Sequence, residues 1–315
     1  MRAAAISLTA SMTFADRLAE RVGARESQIL LGLDPDPARR WPAALARAPA
    51  DGPPAHRAAA AVQAHCVALI DAAGPACVAV KPQLACFERL GAAGWSALQV
   101  IVAYARERGL IVLADAKRGD IAVSAAAYAQ ALVGSTPSPF GDIDGLRADA
   151  FTANPLLGVD SLEPLVDGAR AAGAGVFVLV RTSNPGAADV EDLELAAGEG
   201  GGTVWERLAQ IVTQLGAPPS PHSGLSDVGA VVGATAPEHV GRMRELMPHA
   251  PFLLPGIGAQ GGRVEDMAPA FAPGPAGGLV SASRSIASAH ESTGAPPAAA
   301  ARAEAERLRE AAWSL

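Results

Sequence analysis

Cysteine is scarce, with only Cys66, Cys77 and Cys86 in a chain of 315 residues. A chain of this length needs no covalent staples, and the spacing fits no zinc pattern. The three read as reduced thiols of a cytoplasmic protein. Histidine is also sparse, six residues scattered without metal-ligand spacing, so no metal site is expected. Positive charge is in deficit: the net charge of −7 argues against a nucleic acid polymer or an anionic membrane as the main partner. It leaves room for a small anionic ligand, because a pocket can be locally positive on an acidic protein. No uninterrupted apolar stretch reaches the ~18 residues of a membrane span. The opening MRAAAISLTASM carries one Arg and a weak apolar run broken by Ser and Thr, with Asp16 and Arg17 close behind. That pattern favours a frayed tail over residues 1–12, or a start made at Met12, over a signal peptide.

Hydrophobic residues are plentiful, half of the chain, enough for a large core. Length alone permits two domains, but barrels of alternating strands and helices run to this size as one unit. The pattern decides. Short apolar or β-branched runs begin at Ile29, Cys77, Leu110, Ala148, Gly175, Val228, Pro251 and Gly277, and longer stretches with helical spacing lie between them. Several of those stretches open at Asp, Ser, Thr or Pro and close at Gly, as helix punctuation requires. Continuous apolar strands alternating with helices imply a parallel sheet covered by helices. Eight strands, each with a following helix, favour a closed (β/α)8 TIM barrel of the α/β class, one domain spanning residues 1–315. Unequal repeat lengths disfavour a solenoid. An extra helix near Thr13 to Arg25 precedes the first strand. The Pro- and Gly-rich stretches PSPFGDIDG and GAPPSPHSGLSD read as loop insertions rather than domain boundaries.

In such a barrel the active site lies at the C-terminal ends of the strands, and the unusual charges fall there. Asp34 ends the first strand, Lys81 the second, and Asp115 with Lys117 the third, in LIVLADAKRGDI. Side chains alternate along a strand, so Asp115 and Lys117 share a face while Ala116 takes the other. Two lysines converging on one pocket repel by about 4 kcal/mol at about 4 Å with an effective dielectric of about 20. Carboxylates between them offset that repulsion and keep both amines protonated. An alternating Lys-Asp-Lys-Asp array suits a site that uses a charged ammonium as an acid. The alternative is a pair of surface salt bridges at a strand end.

A second constellation follows the seventh and eighth strands, where this fold commonly binds phosphate through glycine amides and a helix N-terminus. PGIGAQGG supplies Gly258 and Gln260, and SASRSI supplies Arg284, suited to a charge-assisted fork on a phosphate. Gly256, Gly258 and Gly261 match G-x-G-x-x-G, but the acidic residue due about 20 residues later is missing and the motif is in the seventh unit, not the first. A dinucleotide fold is rejected on both counts. The third constellation, RTSNPGA after the fifth strand, offers Thr182, Ser183 and Asn184 to read a planar polar ring; taken alone it is an ordinary polar loop. In FTANPLLGVDS, Asp160 or Ser161 is the expected helix cap.

These motifs together resemble the orotidine 5′-phosphate decarboxylase family. DAKRGDI fits its D-x-K-x-x-D-I motif, and LGLD, VAVKP, RTSNPGA, PGIGAQGG and SRSI follow in the family's order from about Ile29 to Ile286. The extra loops and FTANPLLG are similar to its longer bacterial subgroup. The resemblance implies conversion of orotidine 5′-monophosphate to uridine 5′-monophosphate without metal or cofactor. It implies a charged array of Lys81, Asp115, Lys117 and Asp120 in which Lys117 protonates C6, and a homodimer in which Asp120 reaches the neighbouring subunit's site. It also implies that Asp34 binds ribose hydroxyls, Ser183 the pyrimidine edge, and Gln260 and Arg284, with Gly258, the 5′-phosphate. The rival readings are a sugar-phosphate relative on the same barrel, a Schiff-base aldolase, and a non-catalytic phosphate-ligand binder. The first uses magnesium held by a Glu near the second and third strands, where this chain has Lys81 and Lys117. The second needs a lysine of low pKa, which the flanking aspartates oppose.

Overall fold

The expected apolar runs become the eight strands of a closed parallel barrel: β1 Ile29–Leu33, β2 Ala79–Pro82, β3 Ile111–Arg118, β4 Ala150–Ala153, β5 Gly175–Arg181, β6 Val228–Val232, β7 Phe252–Leu254 and β8 Gly278–Ala282. Strand order follows the chain around the ring, and β1 closes it by pairing with both β2 and β8. The computed structural model describes residues 12–196, 201–258 and 260–315. The tail expected over residues 1–12 therefore lies, apart from Met12, outside the described residues. Among the described residues no helix is long and apolar enough to cross a membrane.

Side-chain alternation sorts the core into two layers. Leu30, Ala79, Ile111, Leu113, Ala150, Phe177, Val231, Leu253 and Leu279 pack inside the barrel. Their neighbours Leu31, Val80, Val112, Phe151, Val178 and Val280 face outward against the surrounding helices. Continuing the inward parity toward the C-terminal strand ends reaches Lys81, Asp115, Thr152 and Ser281, all buried. The interior thus changes from hydrocarbon to charge along its own axis.

The helix expected near Thr13 to Arg25 spans Phe14–Arg25. Thr13 caps it by accepting from the Asp16 amide at 3.2 Å, and Phe14, Leu18 and Val22, spaced on one face, are buried. These side chains join the inner core layer and stopper the N-terminal end of the barrel. The Phe14 ring stands edge-on to Phe177 at 6.1 Å, and Gly175 leaves the space that ring occupies, since a β-carbon there would lie 2.3 Å from it.

Two expectations about helices are corrected. The seventh strand is followed not by an α-helix but by a 3-10 segment, Glu265–Phe271, which contains Pro269; proline removes a backbone donor and clashes with the preceding turn. Buried Arg244 braces this segment, donating to the carbonyls of Met247, Ala250, Ala270 and Gly277 while stacked 3.7 Å from the Phe252 ring. The cap of helix Val159–Ala171 is Gly158, at φ 94°, rather than Asp160 or Ser161. A β-carbon is strained at that angle, and Ser161 instead donates its hydroxyl to the Gly158 carbonyl at 2.7 Å. PSPFGDIDG, expected as a loop insertion, also contributes to a small antiparallel hairpin, Ser135–Thr136 with Ile143–Asp144.

The stopper carries a testable stability cost. Phe14→Ala is expected to lower unfolding free energy by about 3–5 kcal/mol, the usual cost of a buried Phe truncation, as measured by urea titration. An unchanged midpoint would show that the barrel floor does not need the helix.

Candidate active site

At the C-terminal end of the barrel a cavity of about 390 Å³ opens among the strand ends. Asp115, only 5% exposed, stands at its centre, and four donors converge on its carboxylate. Lys81 donates at 2.7 Å and Gln83 at 3.0 Å to Oδ2; Lys117 at 2.5 Å and Thr152 at 2.9 Å to Oδ1. Burial raises a carboxyl pKa, but the Lys81 and Lys117 ammoniums outweigh it here and hold Asp115 well below the ordinary carboxylate value. Lys81 obeys the same balance with the sign reversed. Burial disfavours its charge, and Asp115 with Asp34, whose oxygen is 4.0 Å away, more than restores it. Both groups are ionised over the neutral range.

Lys117 differs from Lys81 in exposure and in backbone. Its side chain is 43% exposed against 7%, so its ammonium faces the open part of the cavity. Its φ of 47° is left-handed, a region residues with a β-carbon seldom adopt. The β3–β4 ladder shifts register between Ala114 and Arg118. Freed from the ladder, the Lys117 amide donates to Thr152 Oγ1 at 2.9 Å. Simple alternation anticipated that Asp115 and Lys117 meet; a bulge, not a regular strand, brings them together.

Within one chain the array therefore runs Asp34, Lys81, Asp115, Lys117. Asp120 is not part of it: it does not line the cavity, and its carboxylate accepts from the Ile121 amide at 2.8 Å. Beside it Ile121 is 58% exposed, Val123 83%, Leu156 78% and Leu157 52%, an apolar rim on one side of the mouth.

The opposite wall is polar. Ser183, Gln260 and Arg284 line the cavity and also the outer pocket at its entrance. Gly233 makes room for the Ser183 loop, because a β-carbon there would sit 2.8 Å from the Ser183 backbone. Thr235 donates to the Ser183 carbonyl at 3.0 Å, while Glu191 accepts from the Thr182 amide at 2.8 Å. Arg181 pairs with Asp192 at 2.9 Å. Gly258 does not reach the cavity; its amide donates to the Gly262 carbonyl at 2.9 Å, and the Gly262 amide returns to Gly256 at 3.0 Å. The loop spends these two amides on its own turn, whereas the Gln260 and Arg284 side chains line the cavity.

Thr152, Gln83, Glu191 and Asp192 were not singled out from the sequence. Thr152 had a usable signal, a polar residue at the inward parity of a strand otherwise lined with Ala and Phe. A stronger signal concerned the lysines themselves: the chain contains only two, Lys81 and Lys117, and both bind the same carboxylate.

A family model described as Orotidine 5′-phosphate decarboxylase / HUMPS family matches residues 27–303. The orotidine 5′-phosphate decarboxylase of Rhodopirellula baltica is 41% identical over 283 residues, covering 89% of this chain and 90% of its own. That of Deinococcus radiodurans is 41% identical over 279 residues, covering 87% and 89%. The structure of Leishmania donovani OMP decarboxylase superposes with a TM-score of 0.69 at 33% identity, covering 96% of this chain and 100% of that one.

Removing the central charge should reach beyond the site. In Asp115→Asn, buried Lys81 loses its main counter-ion, and a loss of about 3–5 kcal/mol is expected at pH 7. Asp115 has a depressed folded pKa, so its contribution is complete above the unfolded value of 3.8 and fades as pH falls through the folded one. The gap between the urea midpoints of wild type and variant should accordingly begin to narrow only below about pH 4 and close only well below it. Equal midpoints at pH 7 would deny Asp115 a structural role.

Proposed function

The chain belongs to the orotidine 5′-phosphate decarboxylase / HUMPS family, and from that premise we propose that it converts orotidine 5′-monophosphate to uridine 5′-monophosphate and carbon dioxide, in de novo pyrimidine biosynthesis. The observation that carries this reading is the pair of lysines sharing one buried carboxylate, Lys81 on Oδ2 and Lys117 on Oδ1 of Asp115. Breaking the bond between C6 and the carboxylate leaves an electron pair in the ring plane at C6, where the pyrimidine π system does not delocalise it. A fixed ammonium beside that atom stabilises the charge as it forms, then donates a proton to make the C6–H bond. The resulting neutral lysine regains its proton from solvent. Lys117 fits this role because its ammonium is the accessible one of the two, and Lys81 keeps Asp115 ionised and in place.

The remaining residues bind parts of the substrate remote from C6. Gln260 and Arg284 take the 5′-phosphate, Asp34 the ribose hydroxyls, and Ser183 the pyrimidine edge. Binding energy collected there holds C6 against Lys117, where it lowers the barrier rather than merely tightening the complex. Asp120 acts in the site of a second copy. A homodimer is supported by the apolar rim around Asp120, since such a patch next to a charged cavity suits a protein partner. A cytoplasmic location belongs to the same reading, supported by three unpaired cysteines.

The direct test follows the ultraviolet absorbance of orotidine 5′-monophosphate with purified protein and EDTA, identifying the product by chromatography. Uridine 5′-monophosphate is expected, and no conversion by a folded dimer would overturn the reading. Lys117→Ala should lower kcat by at least about a thousandfold, toward the upper range for loss of a general acid, with the fold intact by circular dichroism. Mixing Lys117→Ala with Asp120→Ala subunits should restore part of the activity, because each mixed dimer holds one site free of both changes. Mixed dimers that stay inactive would place Asp120 outside the partner's site.

A further inference from the structure

We propose that Thr152 is the positioning residue that holds the proton donor, Lys117, in its reactive geometry. The proposal deepens the decarboxylase reading and rests on it. In the β3–β4 ladder Ala114 pairs with Phe151 and the next pairing is Arg118 with Ala153. Asp115, Ala116 and Lys117 must therefore fit opposite Thr152 alone. The chain solves this by turning left-handed at Lys117, φ 47°, a conformation that sterics oppose in any residue with a β-carbon and that persists only where its surroundings enforce it.

Thr152 supplies that enforcement. Its side chain is fully buried, and its hydroxyl has both a donor and an acceptor bond. Oγ1 accepts from the Lys117 amide at 2.9 Å and donates to Asp115 Oδ1 at 2.9 Å. The same Asp115 oxygen receives the Lys117 ammonium at 2.5 Å. A ring results: Lys117 backbone, Thr152 hydroxyl, Asp115 carboxylate, Lys117 ammonium. Each bond fixes the next, so the hydroxyl couples the strained backbone of the lysine to the position of its own charged end. Because the hydroxyl has one proton and gives it to Asp115, its lone pairs are left for the amide; the orientation depends on Asp115 being ionised. No part of this ring touches the groups assigned to phosphate or ribose, so its loss should fall on the chemical step rather than on binding.

Two substitutions and one labelling experiment test this. Thr152→Val keeps the shape and removes the hydroxyl; Thr152→Ser keeps the hydroxyl. Thr152→Val should lower kcat by about tenfold to a hundredfold, the effect of one or two lost hydrogen bonds, with KM within about twofold, and Thr152→Ser should restore kcat to within about threefold of wild type. A lower Tm with undiminished kcat would assign Thr152 to packing alone and overturn the proposal. Labelling with ¹⁵N-lysine gives two backbone amide signals, because Lys81 and Lys117 are the only lysines. In wild type the Lys117 amide should exchange slowly with solvent despite its exposed side chain. In Thr152→Val it should exchange at least about tenfold faster, as expected when a protecting hydrogen bond is lost, while Lys81 is unaffected. Rapid exchange at Lys117 in wild type overturns the proposal without requiring any variant to fold. If wild type fails to decarboxylate orotidine 5′-monophosphate, the reaction is wrong, and the amide measurement still decides whether Thr152 holds the lysine.

Discussion

One carboxylate governs the upper half of this molecule. Asp115 is buried, accepts four hydrogen bonds and binds both lysines. Burying two charges, Lys81 and Asp115, carries a desolvation penalty that geometry must offset, and the arrangement works only while both are paired. Lys81 relies on Asp115, Asp115 relies on both ammoniums, and Gln83 and Thr152 occupy the directions left over. Such a cluster can be built where a rigid ring delivers each side chain from a different strand. The closed barrel does this: Lys81 comes from β2, Asp115 and Lys117 from β3, and Thr152 from β4.

The two ends of the barrel are specialised by opposite means. At the N-terminal end a helix presses Phe14, Leu18 and Val22 into the opening, where they join the inner apolar layer. At the C-terminal end polar loops are held by contacts among themselves, as in the pairing of Arg181 with Asp192 and of Thr182 with Glu191. Those two acids lie in the long segment after β5. That segment serves as a brace for the wall that carries Ser183. The same economy appears around β7, where Arg244 ties the carbonyls of Met247 and Ala250 before the strand to those of Ala270 and Gly277 after it.

The legible parts of the fold were those written locally. Apolar runs such as GVFVLVR and LIVLADAK announce strands, and inward parity from Ile111 through Leu113 leads to Asp115 without any structure. Lys81, Lys117, Asp34, Ser183, Gln260 and Arg284 all line the cavity as a barrel reading required. What escaped depended on partners distant in the chain. The bulge at Lys117 arises from a register mismatch with β4, and although inward parity marks Thr152 as a polar residue facing the barrel interior, only that mismatch places Asp115 and the Lys117 amide against it. Gly258 failed for a similar reason: a glycine-rich loop advertises free amides, yet whether they remain free depends on how the loop closes on itself. Pro269 was a readable sign that no α-helix follows β7, and the regularity of the repeat overrode it.

Arginine supplies nearly all the positive charge of this chain, and lysine occurs only at the two cavity positions. The guanidinium keeps its proton at any physiological pH, whereas an amine can give one up; the positive charges of the surface are therefore guanidiniums rather than amines. Acylating and aldehyde reagents that react with amines find, apart from the α-amino group, two targets, of which Lys81 is sequestered and Lys117 is open. Covalent labelling of this protein is thus self-addressed. Side-chain amine labelling would therefore report on the cavity itself, and immobilisation through a lysine would attach at the cavity mouth.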